Sequence, residues 1–295
     1  MTANWQYEPE ELAVKYLVWM RDVKQRPQTT WTRYGRVLSA YIEWCKRFDL
    51  DPMNPGLDQL ERFMIRPRKR TGYMPKPATQ KLEVAVLKSW FQWAVDRDFL
   101  LKNPGRLLEP PSVPVPPAKP LPDDVWIALW GQDISQLSRA ALGMGYFAGM
   151  RTFEIEQTPR VDVGSDLVKV TRKGGKVQSI PWRKLALIVH YRLPHLLPDA
   201  GLFERAVRVV RSDGSHERLF PFGFENMFNR LVRSIPGHYT PHMLRHSMAT
   251  NLLLPEVNMP IHLVQEMMGH ASIQDTQRYV QKTGNNLDRY FPELA

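Results

Sequence analysis

The sequence predicts a mainly α-helical protein of two lobes, a four-helix bundle followed by a mixed α+β lobe with a small antiparallel sheet. Three observations predict it. Apolar residues recur at three- and four-residue spacing through most of the first hundred positions. A proline-dense run then interrupts the pattern between Pro110 and Pro122. Beyond it, two short β-rich runs flank Gly174-Gly175, the dipeptide of a tight hairpin turn.

In the first lobe, residues 1–108, Leu12, Tyr16, Trp19 and Met20 predict a helix from Glu10 to Lys24. Trp31, Tyr34, Leu38, Tyr41, Ile42 and Cys45 predict a second from Thr30 to Phe48, and a shorter one follows from Leu57 to Ile65. A fourth, from Ala78 to Asp96, has Leu82, Val86, Leu87, Trp90 and Trp93 as its apolar face. Residues 109–122 are too rich in proline for helix or central strand and read as an extended, semi-rigid spacer. In the second lobe, residues 123–295, helices are expected at Asp123–Trp130, Ser135–Phe147, Arg183–Tyr191, Phe224–Val232, Pro241–Leu254, Ile261–Met268 and Ile273–Val280. Strands are expected at Val161–Val163, Leu167–Thr171 and Val177–Ile180.

Lysine and arginine number 40 against 30 acidic residues, a formal net charge of +10 with a pI near 9.7. That balance favours a polyanionic partner. The one cysteine, Cys45, excludes an intrachain disulfide and a thiolate zinc site. No apolar run reaches the length of a membrane span, and Met1-Thr2-Ala3-Asn4-Trp5 does not resemble a signal peptide. A soluble, cytoplasmic protein is therefore expected, with no membrane partner.

A set of reactive residues lies in the second lobe: Arg151 with Glu154, Lys173, then His242-Met243-Leu244-Arg245-His246, Gly269-His270 and Tyr279. A phosphodiester resists attack because its non-bridging oxygens are anionic, so a nucleophile needs fixed cationic donors beside it. Arginine suits that role, since its planar fork stays charged and bonds two phosphate oxygens at once. Arg151 and Arg245 are the candidates. A phenol with a pKa of about 10 needs a proton acceptor and nearby cations to act as a nucleophile. His242 and His270 are candidates to accept the proton from Tyr279 or to orient the phosphate. The leaving alkoxide needs a general acid, for which Lys173 at the hairpin tip is preferred over Lys176. Glu154 and His246 are assigned supporting positions. This chemistry requires neither metal nor other cofactor.

At these residues the chain resembles the tyrosine recombinase, or phage integrase, family. An arginine followed three residues later by an acid, a lysine on a β-hairpin, His-x-x-Arg, Gly-His, and a tyrosine nine residues further on all occur in family order. The resemblance runs from about Trp5 to Gln281 and is strongest from Tyr239 to Tyr279. It implies a SAM-like core-binding bundle for the first lobe and an α+β catalytic domain for the second. It also implies cleavage of duplex DNA through a 3′-phosphotyrosine, in a homotetramer joined by exchange of the C-terminal tail and assisted by a directionality factor. Two departures stand out: a short, polar segment after Glu154 predicts a brief helix, and Pro255 ends the helix that carries Arg245 early. Few residues precede the first helix, so no separate arm-binding domain is expected. A small phage or mobile-element integrase, working in the host cytoplasm at the nucleoid, is preferred to a resolvase of replicon dimers.

Arg66, Arg68, Lys69, Arg70, Lys76, Lys81 and Lys88 are candidates to grip DNA phosphates, the alternative being a solvated loop or an import signal. Arg230 and Arg233 are further candidates, equally explained by an amphipathic helix. Three rival functions share parts of the pattern: a type IB topoisomerase, a metal hydrolase using His242 and His246, and a non-catalytic DNA-binding protein.

Overall fold

A computed structural model of the 295-residue chain describes residues 7–68, 71–114, 116–159, 162–172, 175–190, 201–202, 223–270 and 272–280. It divides into two compact units, Met1–Pro114 and Val115–Ala295.

The first unit contains α1 (Pro9–Asp22), α2 (Gln28–Arg47), α3 (Leu57–Ile65) and α4 (Pro77–Val95). Prolines at the first turns of α1 and α4 suit positions whose N–H has no partner inside the helix. The helical periodicity turns Leu12, Tyr16, Leu38, Tyr41, Phe63, Leu87 and Trp90 into one fully buried core. Tyr41 meets Phe63 edge-on at 5.1 Å, and its hydroxyl donates to the carbonyl of Pro52 at 3.0 Å, so the polar tip is satisfied where the ring is dry. Cys45 is free and buried in the same core.

The second unit contains α5 (Asp123–Trp130), α6 (Gln136–Tyr146), α7 (Thr152–Gln157), β1 (Val168–Thr171), β2 (Val177–Ile180), α8 (Trp182–His190), α9 (Phe224–Leu231), α10 (Pro241–Leu253), α11 (Ile261–Met268) and α12 (Gln274–Val280). The strands pair antiparallel with Val168 opposite Ile180 and Thr171 opposite Val177. The expected third strand is reduced among the described residues to a single bridge from Val163 to Val168. Gly164 to Leu167 form the reverse turn that closes this bridge, and Asp162 on its other side is held in a turn, its N–H donating to the carbonyl of Pro159 at 3.0 Å, so the pairing does not continue back from Val163 to Asp162.

Helix α10 is the centre of this unit and packs against α6, α8, α9, α11 and α12. A helix so surrounded is buried on nearly every side, and Leu244 through Ala249 are all buried. It ends at Leu253, two residues before Pro255, and α7 is only six residues long. Residues 109–122 do not behave as a spacer throughout. Ala118 and Leu121 are 0% and 3% exposed in the core of the second unit, and the N–H of Leu121 donates to Ser247 Oγ at 2.8 Å. Two apolar side chains among the prolines suffice to dock the second half of the run. No helix among the described residues is long and apolar enough to cross a membrane.

Candidate active site

Arg151 occupies the N-cap of α7, just after the left-handed turn at Gly149. A Cβ on Gly149 would stand 3.0 Å from Met248 Sδ, so both its backbone angle and its packing call for glycine. The N–H of Arg151 donates to Glu154 Oε2 at 2.8 Å, and its Nη1 donates to Glu154 Oε1 at 2.8 Å. The first of these bonds satisfies an orphan donor of the helix start; the second aims the guanidinium.

Arg245 lies in the buried middle of α10, 1% exposed. Its Nη1 donates to the carbonyl of Gly149 and its Nη2 to that of Met268. One guanidinium thus ties the loop before Arg151 to the segment before His270.

Helix α11 ends in a left-handed turn at Gly269 (φ +58°), where the N–H groups of Gly269 and His270 return to the carbonyls of Glu266 and Gln265 at 2.9 and 3.1 Å. That turn carries His270 back over the core, and its Nδ1 lies 2.8 Å from the buried hydroxyl of Thr276 on α12. Tyr279, three residues on and 1% exposed, presents its hydroxyl 2.8 Å from His246 Nδ1. The rings of His242 and His246 meet edge-on at 4.5 Å, while His270 lies parallel to Tyr279 at 6.2 Å. Among the three imidazoles, the one within hydrogen-bond distance of the phenolic hydroxyl is therefore His246, which the sequence places in support, and not His242 or His270.

The electrostatics of the group run one way. Burial first, then the guanidiniums of Arg151 and Arg172, pushes Arg245 down to about 9, so it stays charged at neutral pH. Burial and surrounding cations push His246 and His270 down to about 3. His242 has an edge open to solvent, yet the protein packed about the rest of its ring, then Arg245 and Arg151, lower its pKa. Burial raises the Tyr279 phenol, against the pull of Arg245, Arg278 and Arg151. At neutral pH the imidazoles are neutral and the phenol protonated, so Tyr279 can donate to Nδ1 of His246. A partly buried cluster in which four arginines are balanced chiefly by Glu154 favours an anion.

Two of these arginines are absent from the sequence-derived set. Arg278 precedes Tyr279 and acts on all three histidines. Arg172 is 5% exposed and donates through Nη1 to Glu154 Oε2 at 2.6 Å. A signal for it existed: the alternation of β1, with Val168 and Val170 inward, puts Arg172 on the inward face, and a buried arginine needs a partner. Lys173 lies outside the described residues, as do Lys69, Arg70 and the tail beyond Val280. No cluster of three or more His, Cys, Asp or Glu side chains among the described residues is arranged to hold a metal ion.

The basic residues of the first unit differ among themselves. Arg66 and Arg68 both bond Glu83, which is fully buried, at 3.0 and 2.7 Å, and Arg66 also stacks over Phe63 at 3.3 Å. Their first task is to neutralise Glu83, and Arg66, with a side chain only 11% exposed, has little left for a phosphate. Lys76 and Lys81 are exposed and Lys88 is half-buried. Arg230 and Arg233 are exposed at and just after the end of α9.

The phage integrase family model matches residues 131–286, just over half of the chain, and spans every element of this site. The chain belongs to the phage integrase family. Among curated relatives it is 27% identical over 278 residues to tyrosine recombinase XerC of Escherichia coli O127:H6, covering 90% of this chain and 89% of that one. It is 28% identical over 273 residues to XerC of Yersinia pestis, covering 90% and 88%. Two solved structures share the fold. The Tn1549 transposon integrase in complex with transposon right end DNA matches with a TM-score of 0.67 at 18% identity, over 98% of each chain. A lambda integrase dimer bound to a COC′ core site matches with a TM-score of 0.66 at 16% identity, over 94% of this chain and 78% of that one. As a tyrosine recombinase family member, the chain is a DNA recombination enzyme with a mainly helical, integrase-like fold.

Proposed function

We propose that this enzyme is a site-specific recombinase in which Tyr279 attacks a backbone phosphorus of duplex DNA. The step gives a 3′-phosphotyrosyl ester and releases a 5′-hydroxyl, which in the second half of the reaction is replaced by the hydroxyl of a partner strand. The observation that carries this reading is the phenol of Tyr279, hydrogen-bonded to His246 and surrounded by the guanidiniums of Arg151, Arg245 and Arg278. His246 accepts the phenolic hydrogen bond, and it would take the proton once the negative charge of a bound phosphate offsets the cations that hold its pKa down. Arg151 and Arg245, with His242 and His270, would hold the non-bridging oxygens, and Lys173 would protonate the departing oxygen. The ester keeps the energy of the broken bond, so the cycle needs no ATP, and the cations supplied by the protein take the place of a metal.

The preferred biological role is integration or excision of a phage or mobile element, by a homotetramer that exchanges its C-terminal tails on paired DNA sites with a directionality factor. Lys76, Lys81, Lys88, Arg230 and Arg233, with Lys69 and Arg70, would contact phosphates. The XerC relatives, aligned over nine-tenths of the chain, favour resolution of replicon dimers as the second reading.

The test is covalent trapping. Native protein incubated with fragmented genomic DNA and then denatured should carry DNA on a peptide containing Tyr279, and sequencing that DNA would map the site. Y279F should retain DNA binding and form no adduct. An adduct that persists in Y279F, or that forms on another residue, would refute the assignment.

A further inference from the structure

Arg172 is buried at the base of the hairpin and is not required by the chemistry above, yet its side chain meets three separate elements. Nη1 donates to Glu154 Oε2 of α7 at 2.6 Å, Nη2 to the carbonyl of Met267 in α11 at 2.7 Å, and Nε to Gln178 Oε1 of β2 at 3.0 Å. Gln178 repeats the link, its Nε2 donating to the carbonyl of Glu266 at 2.8 Å. The backbone of Arg172 closes the hairpin turn, through its N–H to Lys176 at 2.8 Å and its carbonyl to Gly175 at 3.0 Å.

Each contact leads to a residue of the site. Glu154 is the carboxylate that aims Arg151, and Met267 belongs to the last turn before Gly269 and His270. The aliphatic stem of Arg172 lies across Gly269, where a Cβ would stand 3.0 Å from Nε and 3.1 Å from Cδ. Three directional bonds from one rigid fork constrain three segments at once, which a flexible lysine or an apolar side chain of the same volume cannot do. Keeping a guanidinium dry is costly, and here the single buried carboxylate is shared with Arg151.

We propose that Arg172 is a positioning residue: it locks the Arg151 guanidinium, through Glu154, and the His270 imidazole, through the end of α11, into one register around the same phosphate. The inference rests on the recombinase reading and deepens it.

Two measurements on R172M and R172K test it. The first is single-turnover adduct formation at saturating DNA, on sites recovered by trapping with the native protein. R172M should form adduct about 100-fold more slowly, the scale of loss that follows a displacement of about 1 Å in reacting groups. Its DNA affinity should stay near native, and R172K should recover part of the rate. An R172M rate equal to native, or a loss that follows only DNA affinity or thermal stability, would overturn the proposal. The second is amide hydrogen exchange, which needs no activity. Exchange in R172M should quicken about tenfold or more over residues 152–158 and 266–270 together, with the core of α10 unchanged. Unchanged exchange in either segment would sink the coupling. If native protein forms no adduct, the recombinase reading fails, and exchange alone decides whether Arg172 links the two segments.

Discussion

At the scale of single residues, the site depends on which atom faces which, and His246 shows how far a motif carries that information. The pattern His-x-x-Arg singles out His242 and Arg245 and gives His246 no special standing. In the fold, residues one apart on a helix point about 100° apart, so Arg245 and His246 are both buried but meet different partners. Arg245 reaches two backbone carbonyls, while His246 reaches the phenol. Replacing His246 with glutamine keeps a polar side chain but removes the basic nitrogen. H246Q should slow adduct formation about 100-fold to 10,000-fold, the range of general-base contributions, and leave DNA binding unchanged. A single-turnover trapping assay measures this, and a native rate in H246Q would show that another group accepts the proton.

Elements act by presenting their ends. Helix α7 offers Arg151 from its N-cap, and α11 stops in a left-handed turn that delivers His270. Most of these boundaries are legible in sequence, because capping residues, glycine and proline fix where a helix can begin or stop. Leu57–Ile65, Asp123–Trp130 and Ile261–Met268 agree at both ends with the helices expected there. The first strand of the expected sheet was not legible in this way: Val-Asp-Val carries β propensity, but pairing depends on whether Asp162 is free to pair, and its N–H is taken up in a turn with Pro159. Gly269 couples turn and site, so its replacement tests the element. In G269A the left-handed backbone should cost about 1–2 kcal/mol, and Arg172 must shift to admit the Cβ. The expected outcome is a lower unfolding midpoint in urea together with slower adduct formation. A rate equal to native would show that the close approach of Arg172 to Gly269 has no bearing on the site.

For the molecule as a whole, the buried imidazoles link stability to pH. His246 and His270 titrate near 3 in the folded protein and near 6.5 when unfolded. Between these values the unfolded chain binds protons that the folded one does not, so stability rises with pH across the window and falls as pH drops below about 6.5. The loss comes mainly from His246, whose ring is buried, and less from His270, which is more open to solvent. Urea unfolding at pH 7.5 and pH 5 should show the native protein weakened at pH 5. H246Q should show a smaller difference. An equal difference in the two proteins would mean that His246 titrates normally when folded.

By itself the sequence determined the helical class and most helix ends to within a residue or two, and it proposed the division near the prolines and the reactive set of the second lobe, because periodicity, capping and motif spacing are local properties of the chain. Only the tertiary structure decided that His246 receives the phenol, that Arg66 and Arg68 neutralise a buried glutamate, that Ala118 and Leu121 dock instead of spanning, and that Arg172 joins three elements. Those outcomes depend on which groups lose water together, and a charge removed from water takes the nearest partner in space, however distant that partner is along the chain.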